Sequence, residues 1–327
     1  MLRCSFGCQI ACTLLLTSTA FVSGQESEPG KWTVISNEVL AQVMPGYPGK
    51  TAGVTVDPTN GHVFMVIPDQ GLWRSTDQGK NFARVDGKKI GGRCETGFAL
   101  NFDPAGKRLM CFMIYGSSGI TTDGGETWTV SKTSHLDFGA VDWHATGKCL
   151  LALRHEAGGL LALSTDAGQS WQDLQKGFSH VGVVSDKILL ASKGKGILRS
   201  VDGGQTWTEV SKSTPASRVM IVRDKTCYWP SADGVLVSKD EGATWEVLGT
   251  PVSCVLGPYF GKSADHLMVV NKEGFQETTD AGKSWKTAAP LPASFDVGLV
   301  GPNYAWDPVG NILYASSMGK DTLRLVR

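Results

Sequence analysis

The strongest constraint in this sequence is an eight-residue pattern, Ser/Thr-x-Asp-x-Gly-x-x-Trp/Phe, which occurs six times. The copies read STDQGKNF, TTDGGETW, STDAGQSW, SVDGGQTW, SKDEGATW and TTDAGKSW. They begin 46, 43, 36, 38 and 40 residues apart, between residues 75 and 285. A nearly constant period of this length is typical of folds in which one supersecondary unit is repeated.

The residue types in the pattern favour a structural role. The aspartate is placed to accept hydrogen bonds from backbone N–H groups of its own turn, which stabilises a tight connection. The glycine supplies the positive φ angle of such a turn, and the aromatic residue fills space between neighbouring sheets. We therefore predict turn-forming rather than catalytic roles for Asp77, Asp123, Asp166, Asp202, Asp240 and Asp280.

The segments between the copies predict strands. Three short β-rich runs precede each turn, as in AGVTVDPTNGHVFMVIPDQGLWRSTDQG (52–79), and the turn leads to a fourth run. Four strands in each unit are typical of a β-propeller blade. The last segment, YAWDPVGNILYASSMGKDTLRLVR, provides three strands and stops, whereas the early GKWTVIS contains the end of the same pattern and a fourth strand.

The expected fold is therefore all-β: a seven-bladed β-propeller of four-stranded antiparallel blades. We expect the ring to be closed by the N-terminal strand, which completes the C-terminal blade and leaves no exposed sheet edge there.

The repeated pattern is identified as the Asp-box, or bacterial neuraminidase repeat. The chain resembles the Asp-box β-propellers of the sialidase and sortilin-like superfamily, over essentially all of its length after the leader. The resemblance implies that the repeat turns, together with the Asp-Pro turns at Asp57, Asp103 and Asp307, lie on one face of the ring. Ligands of such propellers use the opposite face and the mouth of the central channel.

Other members of this superfamily differ from the chain in identifiable ways. The Arg-Ile-Pro signature that opens sialidase domains is absent, and seven blades are one more than those enzymes use. Xyloglucan-type glucanases use a cleft between two propellers, and sortilin-type receptors bind peptides in a larger ring. The photosystem assembly factors carry a recurrent Gly-Trp/Tyr-x-Val-Gly strand that this sequence lacks.

The N-terminal residues predict export. MLRCSFGCQIACTLLLTSTAFVSG has a basic residue, an apolar stretch and small residues before a polar run, which is typical of a signal peptide and too short for a membrane span. We expect residues 1–24 to be the signal peptide and 25–327 to form one propeller domain. Five cysteines remain after residue 24, at spacings that indicate neither a disulfide framework nor a zinc site, and we expect them to be buried.

The charge of the chain excludes some partners. The sequence has 31 basic and 31 acidic side chains and no basic run, which argues against nucleic acid as a ligand. No cofactor motif or metal motif is present, so we expect no cofactor and no metal. The expected partner is a glycan or an extracellular or periplasmic protein, and we expect a monomer.

The candidate functional residues come from the loops that this topology places opposite the repeat turns. The candidate ligand-binding residues are Arg93, Glu95, His135, Arg154, Arg218, Trp229, Asp233 and Asp296. Asp69, Tyr115, His180, Lys193, Lys195 and Glu273 lie in the same loops. The loop RHEAGG is richer in charge than its counterparts, so the candidate catalytic residues are Glu156, His155 and Asp137.

Two functions remain open from the sequence. The first is an exported binding scaffold that holds a glycan or protein ligand on its loop face. The second is a glycoside hydrolase or polysaccharide lyase acting on an acidic glycan, because carboxylates beside arginines suit that chemistry. Resemblance to sialidases would then require three arginines, such as Arg93, Arg154 and Arg218, to converge on the substrate carboxylate.

Overall fold

The chain folds into seven four-stranded antiparallel sheets arranged as a β-propeller, as the sequence predicts. A computed structural model describes Met1 and residues 29–131, 135–297 and 303–327. The predicted leader therefore lies almost wholly outside the described residues. Helical structure in the described ranges is limited to one turn, α1 (Asn37–Leu40), and those ranges contain no helix long and apolar enough to cross a membrane.

The blades follow one another along the chain, with strands numbered in chain order. Blade 1 contains β2 (Gly53–Val56), β3 (Val63–Ile67), β4 (Gly71–Ser75) and β5 (Ala83–Arg84). Blade 2 contains β6 (Leu100–Phe102), β7 (Leu109–Cys111), β8 (Gly119–Thr121) and β9 (Thr129–Val130). Blade 3 contains β10 (Leu136–Val141), β11 (Leu150–Arg154), β12 (Leu161–Ser164) and β13 (Gln172–Asp173). Blade 4 contains β14 (His180–Val183), β15 (Leu189–Ser192), β16 (Ile197–Ser200) and β17 (Thr208–Ser211).

The remaining blades have the same order. Blade 5 contains β18 (Ile221–Arg223), β19 (Thr226–Ser231), β20 (Gly234–Ser238) and β21 (Glu246–Val247). Blade 6 contains β22 (Leu256–Phe260), β23 (Leu267–Asn271), β24 (Gly274–Thr278) and β25 (Lys286–Ala289). Blade 7 contains β26 (Asn303–Asp307), β27 (Ile312–Ser316), β28 (Leu323–Val326) and, from the other end of the chain, β1 (Thr33–Val34).

The ring is closed where the sequence predicts. Strand β1 pairs antiparallel with β28, with Thr33 opposite Arg324 and Val34 opposite Leu323. The Arg324 guanidinium also donates to the backbone carbonyl of Gln78 at 2.7 Å, which joins blade 7 to the turn of blade 1. Both chain ends are thus held in one sheet, which removes an exposed strand edge.

The hydrophobic core lies between blades rather than within one of them. Val54 of blade 1 packs in one cluster with Ala305 and Tyr314 of blade 7, and Leu190 of blade 4 packs with Trp229 of blade 5. The five described cysteines are free and buried in these layers, as expected for small apolar side chains.

Candidate functional site

The antiparallel order of the strands separates the connections into two faces. The turns that join first to second strands, and third to fourth strands, lie on one face, which we call the turn face. The loops that join second to third strands, and each blade to the next, lie on the other, which we call the loop face. This division agrees with the one predicted from the sequence.

On the turn face the repeated aspartates are occupied by local hydrogen bonds. The Asp123 carboxylate accepts from the Thr127 backbone N–H at 2.9 Å and from its hydroxyl at 2.6 Å, and the Thr121 hydroxyl donates to it at 2.8 Å. Its slight burial raises the pKa of Asp123, but these hydrogen bonds outweigh it and lower the pKa to about 2. The other five copies repeat this arrangement at Asp77, Asp166, Asp202, Asp240 and Asp280.

One sector of the loop face gathers ionisable and aromatic side chains from three parts of the chain. It includes most of the candidate residues of blades 2 and 3, together with one tyrosine from the segment before blade 1. We call it the loop-face cluster, and its members are Tyr47, Arg93, Glu95, Tyr115, His135, Asp137, His155 and Glu156.

A chain of hydrogen bonds forms the centre of this cluster. His155 Nδ1 lies 2.7 Å from Asp137 Oδ1, and His155 Nε2 lies 3.2 Å from the Tyr115 hydroxyl. A carboxylate can only accept, so the neutral imidazole that fits both contacts carries its proton on Nδ1 and accepts from Tyr115 at Nε2. The Glu156 carboxylate is 3.7 Å from the same Nε2 and is 78% exposed.

Arg93 is held over the ring of Tyr115, whereas His155 contacts the hydroxyl of that residue. Its Nε donates to Glu95 Oε1 at 2.8 Å, and its guanidinium carbon lies 4.6 Å from the centre of the Tyr115 ring and 5.1 Å from that of Tyr47. His135 meets the edge of Tyr115, with ring centres 5.0 Å apart. Tyr115 is therefore contacted by a cation on its face and by two imidazoles at its edge, while it remains 50% exposed.

The backbone of the cluster is strained at three non-glycine residues. Tyr115, His135 and Glu156 have φ angles of +55°, +64° and +52°, in the left-handed region that side chains other than glycine rarely adopt. The His155 N–H donates to the His135 carbonyl at 2.8 Å, which links the loop of His135 to the residue that precedes Glu156. Such strain costs on the order of 1 kcal/mol per residue and is commonly found at functional sites.

Asp137 lies between the charges of the cluster and Arg218. Burial raises the pKa of Asp137, the hydrogen bond from His155 opposes this rise, and the charge of Glu95 adds to it. Arg218, between blades 4 and 5, packs over the Phe138 ring at 5.6 Å and donates to the Ser179 carbonyl at 3.3 Å. Burial and the Arg218 charge lower the pKa of His180 to about 4, so this imidazole is neutral at physiological pH.

The remaining candidate residues lie elsewhere. Arg154 forms an ion pair at 2.8 Å with Asp173, on the outermost strand of its own blade. Asp233 lies in the β19–β20 turn of blade 5, and Asp296 lies in the connection to blade 7, where its carbonyl accepts from the Tyr304 hydroxyl at 3.0 Å. The three candidate arginines thus have separate partners and do not form one carboxylate-binding group.

The expected position of Trp229 is wrong. It lies within β19, is 0% exposed, and donates its indole N–H to the Ser217 carbonyl at 2.8 Å. The strand extends through the segment WPS because Trp229 and Pro230 pair with Leu236 and Val235, so the loop begins only after Ser231.

Tyr47 is the functional candidate that the sequence analysis missed. It lies outside the repeats, in the segment between α1 and β2, and is 70% exposed. The flanking sequence MPGYPG, an aromatic residue between turn-forming residues, was the available signal.

A separate cavity of about 100 Å³ lies among the inner strands of the ring. Its lining is mainly apolar and aromatic and includes Phe98, Phe102, Phe260, Tyr304 and Trp306. The ionisable residues of the loop-face cluster are not part of this lining. Within the described ranges, no group of three or more histidine, cysteine or acidic residues is arranged to hold a metal ion.

Several solved structures are similar to this fold. One is YCF48 bound to a D1 peptide, which is 13% identical, with a TM-score of 0.50 over 95% of this chain and 100% of that one. Another is YCF48 from Cyanidioschyzon merolae, 14% identical, with a TM-score of 0.48 over 90% of this chain and 98% of that one. An ancestral GH74 enzyme is 14% identical, with a TM-score of 0.50 over 85% of this chain and 45% of the enzyme.

The two similarities with a TM-score of 0.50 support the propeller fold alone, because the identities are low. No family model matches the chain, and no curated protein matches it.

Proposed function

We propose that this chain is an exported Asp-box propeller of the sialidase and sortilin-like superfamily that serves as a binding scaffold. Its ligand, a glycan or a protein, binds on the loop-face cluster. The observation that carries the proposal is the gathering of exposed aromatic rings and partnered polar groups in one sector of an otherwise repetitive ring.

The chemistry of the cluster suits binding. Tyr47 and Tyr115 are 70% and 50% exposed, and both rings are held in place by Arg93. Exposed aromatic rings give large contact areas to sugar rings or apolar side chains, and they lose little conformational entropy on binding. The adjacent carboxylates, imidazoles and guanidinium supply both donors and acceptors, which fix the orientation of a ligand.

The arginines argue against sialidase-type recognition of an acidic sugar. Arg93 is paired with Glu95, and Arg154 is paired with Asp173. Arg218 lies against Phe138 and interacts electrostatically with Asp137. A triad on one substrate carboxylate would require all three guanidiniums to turn toward one point, whereas these partners hold them at three separate places.

The solved neighbours are consistent with either ligand class. A protein that shares this fold, YCF48, has been solved with a bound peptide, and another, the GH74 enzyme, belongs to a class of glycan-active proteins. We propose a peptide segment of a partner protein or a glycan as the ligand, with the mature chain starting near residue 25 and acting as a monomer outside the cytoplasm.

The test is a binding screen with the full chain, expressed with its leader and collected after export. The purified protein is applied to an array of neutral, sialylated and uronic-acid glycans and to a peptide library. We expect binding on at least one array, and a loss of at least tenfold in affinity, about 1.4 kcal/mol, in Tyr47→Ala/Tyr115→Ala.

The matched control is Glu273→Ala, an exposed side chain in the equivalent loop of blade 6, which should retain full affinity. Equal affinity in the double variant and the parent would contradict the assigned site. Failure of the folded chain to bind any array member would contradict the proposed ligand classes.

A further inference from the structure

We propose that the loop-face cluster cleaves acidic glycans by β-elimination at a uronic acid, with Tyr115 as the group that removes the proton. This inference rests on the proposed function, because the glycan has to bind at the same cluster. It adds a reaction, a reacting side chain and a substrate class.

The first observation is the hydrogen-bonded series Asp137–His155–Tyr115. His155 Nδ1 donates to Asp137 at 2.7 Å, which leaves the lone pair of Nε2 directed at the Tyr115 hydroxyl, 3.2 Å away. A base oriented by a third group, within hydrogen-bond reach of a hydroxyl, is the arrangement that activates weak nucleophiles and bases in enzymes. Here it gives the Tyr115 proton an acceptor and gives the resulting imidazolium a carboxylate partner.

The second observation is the position of Arg93. Elimination from a uronate requires a positive group at the carboxylate, because neutralising that charge makes the C5–H acidic. The carboxylate and the C5–H are on adjacent carbons, so the cation and the base must be neighbours. The Arg93 guanidinium carbon is 4.6 Å from the centre of the Tyr115 ring.

Arg93 has donors for a substrate carboxylate even though it forms an ion pair. The pair with Glu95 uses Nε and one terminal nitrogen, whereas a guanidinium has five N–H donors. Its side chain is 18% exposed, so a bound uronate can reach it. One cation suffices for elimination, and a sialidase-type arginine triad is not needed.

The third observation favours elimination over hydrolysis. Hydrolysis by the common glycosidase mechanisms uses two carboxyl groups on either side of the bond. In this cluster Glu95 is engaged by Arg93 and Asp137 by His155, which leaves the exposed Glu156 as the remaining carboxylate of the cluster, one fewer than that mechanism uses. The solvent-exposed group at the centre, with an activating partner, is a phenol.

The reaction balances with these groups alone. Tyr115 transfers its proton to His155 Nε2, and its oxygen then takes the C5 proton of the uronate. The electron pair of the broken C5–H bond forms the C4=C5 double bond as the C4–O4 bond breaks. The leaving O4 takes the proton from Tyr115, and His155 returns its proton to Tyr115. The products are a new sugar end and an unsaturated uronate, with no water, oxidant or reductant consumed.

The experiment incubates the exported full chain with polygalacturonate, alginate and hyaluronan. It follows the ultraviolet absorbance of the unsaturated uronate, the number of reducing ends, and the mass of the products. We expect absorbance and reducing ends to rise together on at least one substrate. Tyr115→Phe should lower the rate at least 100-fold while substrate affinity stays within a few-fold, since the ring and its contacts remain.

The matched control is Tyr314→Phe, which removes a phenol hydroxyl buried between blades 1 and 7 that has no hydrogen-bond partner among the described residues, and it should retain the parent rate. His155→Gln should also lower the rate and shift its pH profile, because the proton acceptor is lost.

The outcomes separate the two proposals. Binding of uronate glycans without unsaturated product would overturn the inference and leave the proposed function intact. Reducing ends without unsaturated product would indicate hydrolysis and would also overturn it. Full activity in a folded Tyr115→Phe variant would exclude Tyr115 as the base.

Discussion

The turn face and the loop face of this propeller are built by contacts of different range. On the turn face, Asp240 is held by Ser238 and Thr244, two and four residues away, and the same bonds recur in every repeat. On the loop face, His155 contacts Asp137 across 18 residues and Tyr115 across 40, and the arrangement occurs once in the cluster described here. Local repetition stabilises the ring, whereas long-range convergence in one sector produces a site.

The first prediction is that a long-range contact near the turn face also contributes to the free energy of unfolding. Glu277 directly precedes the repeat turn of blade 6, is 4% exposed, and accepts from Arg327 at 2.8 Å and from His266 at 2.9 Å. Glu277→Ala leaves Arg327 without this buried partner, so we expect a loss of about 3 kcal/mol of unfolding free energy. Calorimetry of the variant and the parent measures it, and an unchanged melting temperature would contradict the prediction.

The pH dependence of the same group provides a second readout. Burial raises the pKa of Glu277, but hydrogen bonds from Arg327 and His266 outweigh it and lower the pKa from 4.5 to about 2. A lowered folded pKa gives stability that is present above the unfolded pKa and is lost as pH falls toward the folded one. The parent should therefore lose stability between about pH 4 and pH 2, and Glu277→Gln should show a shallower loss in that range.

The second prediction compares one aspartate from each face. Hydrogen bonds from Thr244 lower the pKa of Asp240 to about 2, so its charge stabilises the folded chain at neutral pH. Burial raises the pKa of Asp137, so its charge is disfavoured by folding. Asp240→Asn should lower the melting temperature by roughly 1–3 °C, whereas Asp137→Asn should leave it unchanged or slightly higher.

Ligand binding and glycan cleavage should rank the two variants in the opposite order to the melting temperature. Asp137→Asn should impair the activity of the cluster, because His155 loses its charged partner, and Asp240→Asn should not affect it. A drop in stability for Asp137→Asn equal to that for Asp240→Asn would remove the distinction between the two faces.

The third prediction concerns the smallest effect, backbone strain. Ala281 on the turn face and Glu156 on the loop face have φ angles of +57° and +52°. Replacing either residue by glycine relieves the left-handed strain but adds the entropic cost of ordering a glycine. The first effect is slightly larger, so the free energy of unfolding should rise by up to about 1 kcal/mol. Only Glu156→Gly should change ligand affinity, and denaturant titration with a binding assay tests both statements.

Much of the fold could be predicted from particular residues. The aspartate and glycine of each repeat form their turn with neighbours in the same eight residues, so six blades could be predicted from the pattern. The seventh blade and its closing strand could be predicted from the strand runs of the last segment and of GKWTVIS. The fourth position of the repeat was not predicted to have positive φ, because Gln78, Ala167, Glu241 and Ala281 carry side chains that usually avoid it. The local hydrogen bonds of the turn impose that angle.

The candidate site was predicted only in part. The charge-rich loop RHEAGG supplied the candidates His155 and Glu156, which lie in the loop-face cluster, whereas its Arg154 pairs with Asp173 within the blade. Trp229 was assigned to a loop, because the run of strand pairing through Pro230 cannot be read from the sequence. Tyr47 lies outside every repeat, and nothing in its own segment indicates that it meets Arg93.

By itself, the sequence determined the architecture of this protein: the turns, the blade number, the division into two faces and the composite last blade. These follow from hydrogen bonds and periodicities that act over a few residues or recur at a constant interval. Only the tertiary structure decided which loop residues meet, which arginines are neutralised and which tyrosine receives a base. The contact of Tyr115 with His155 joins blades 2 and 3, and those of Arg93 with Tyr47 and Tyr115 join separate loops, so they exist only after the chain has folded and the blades lie side by side.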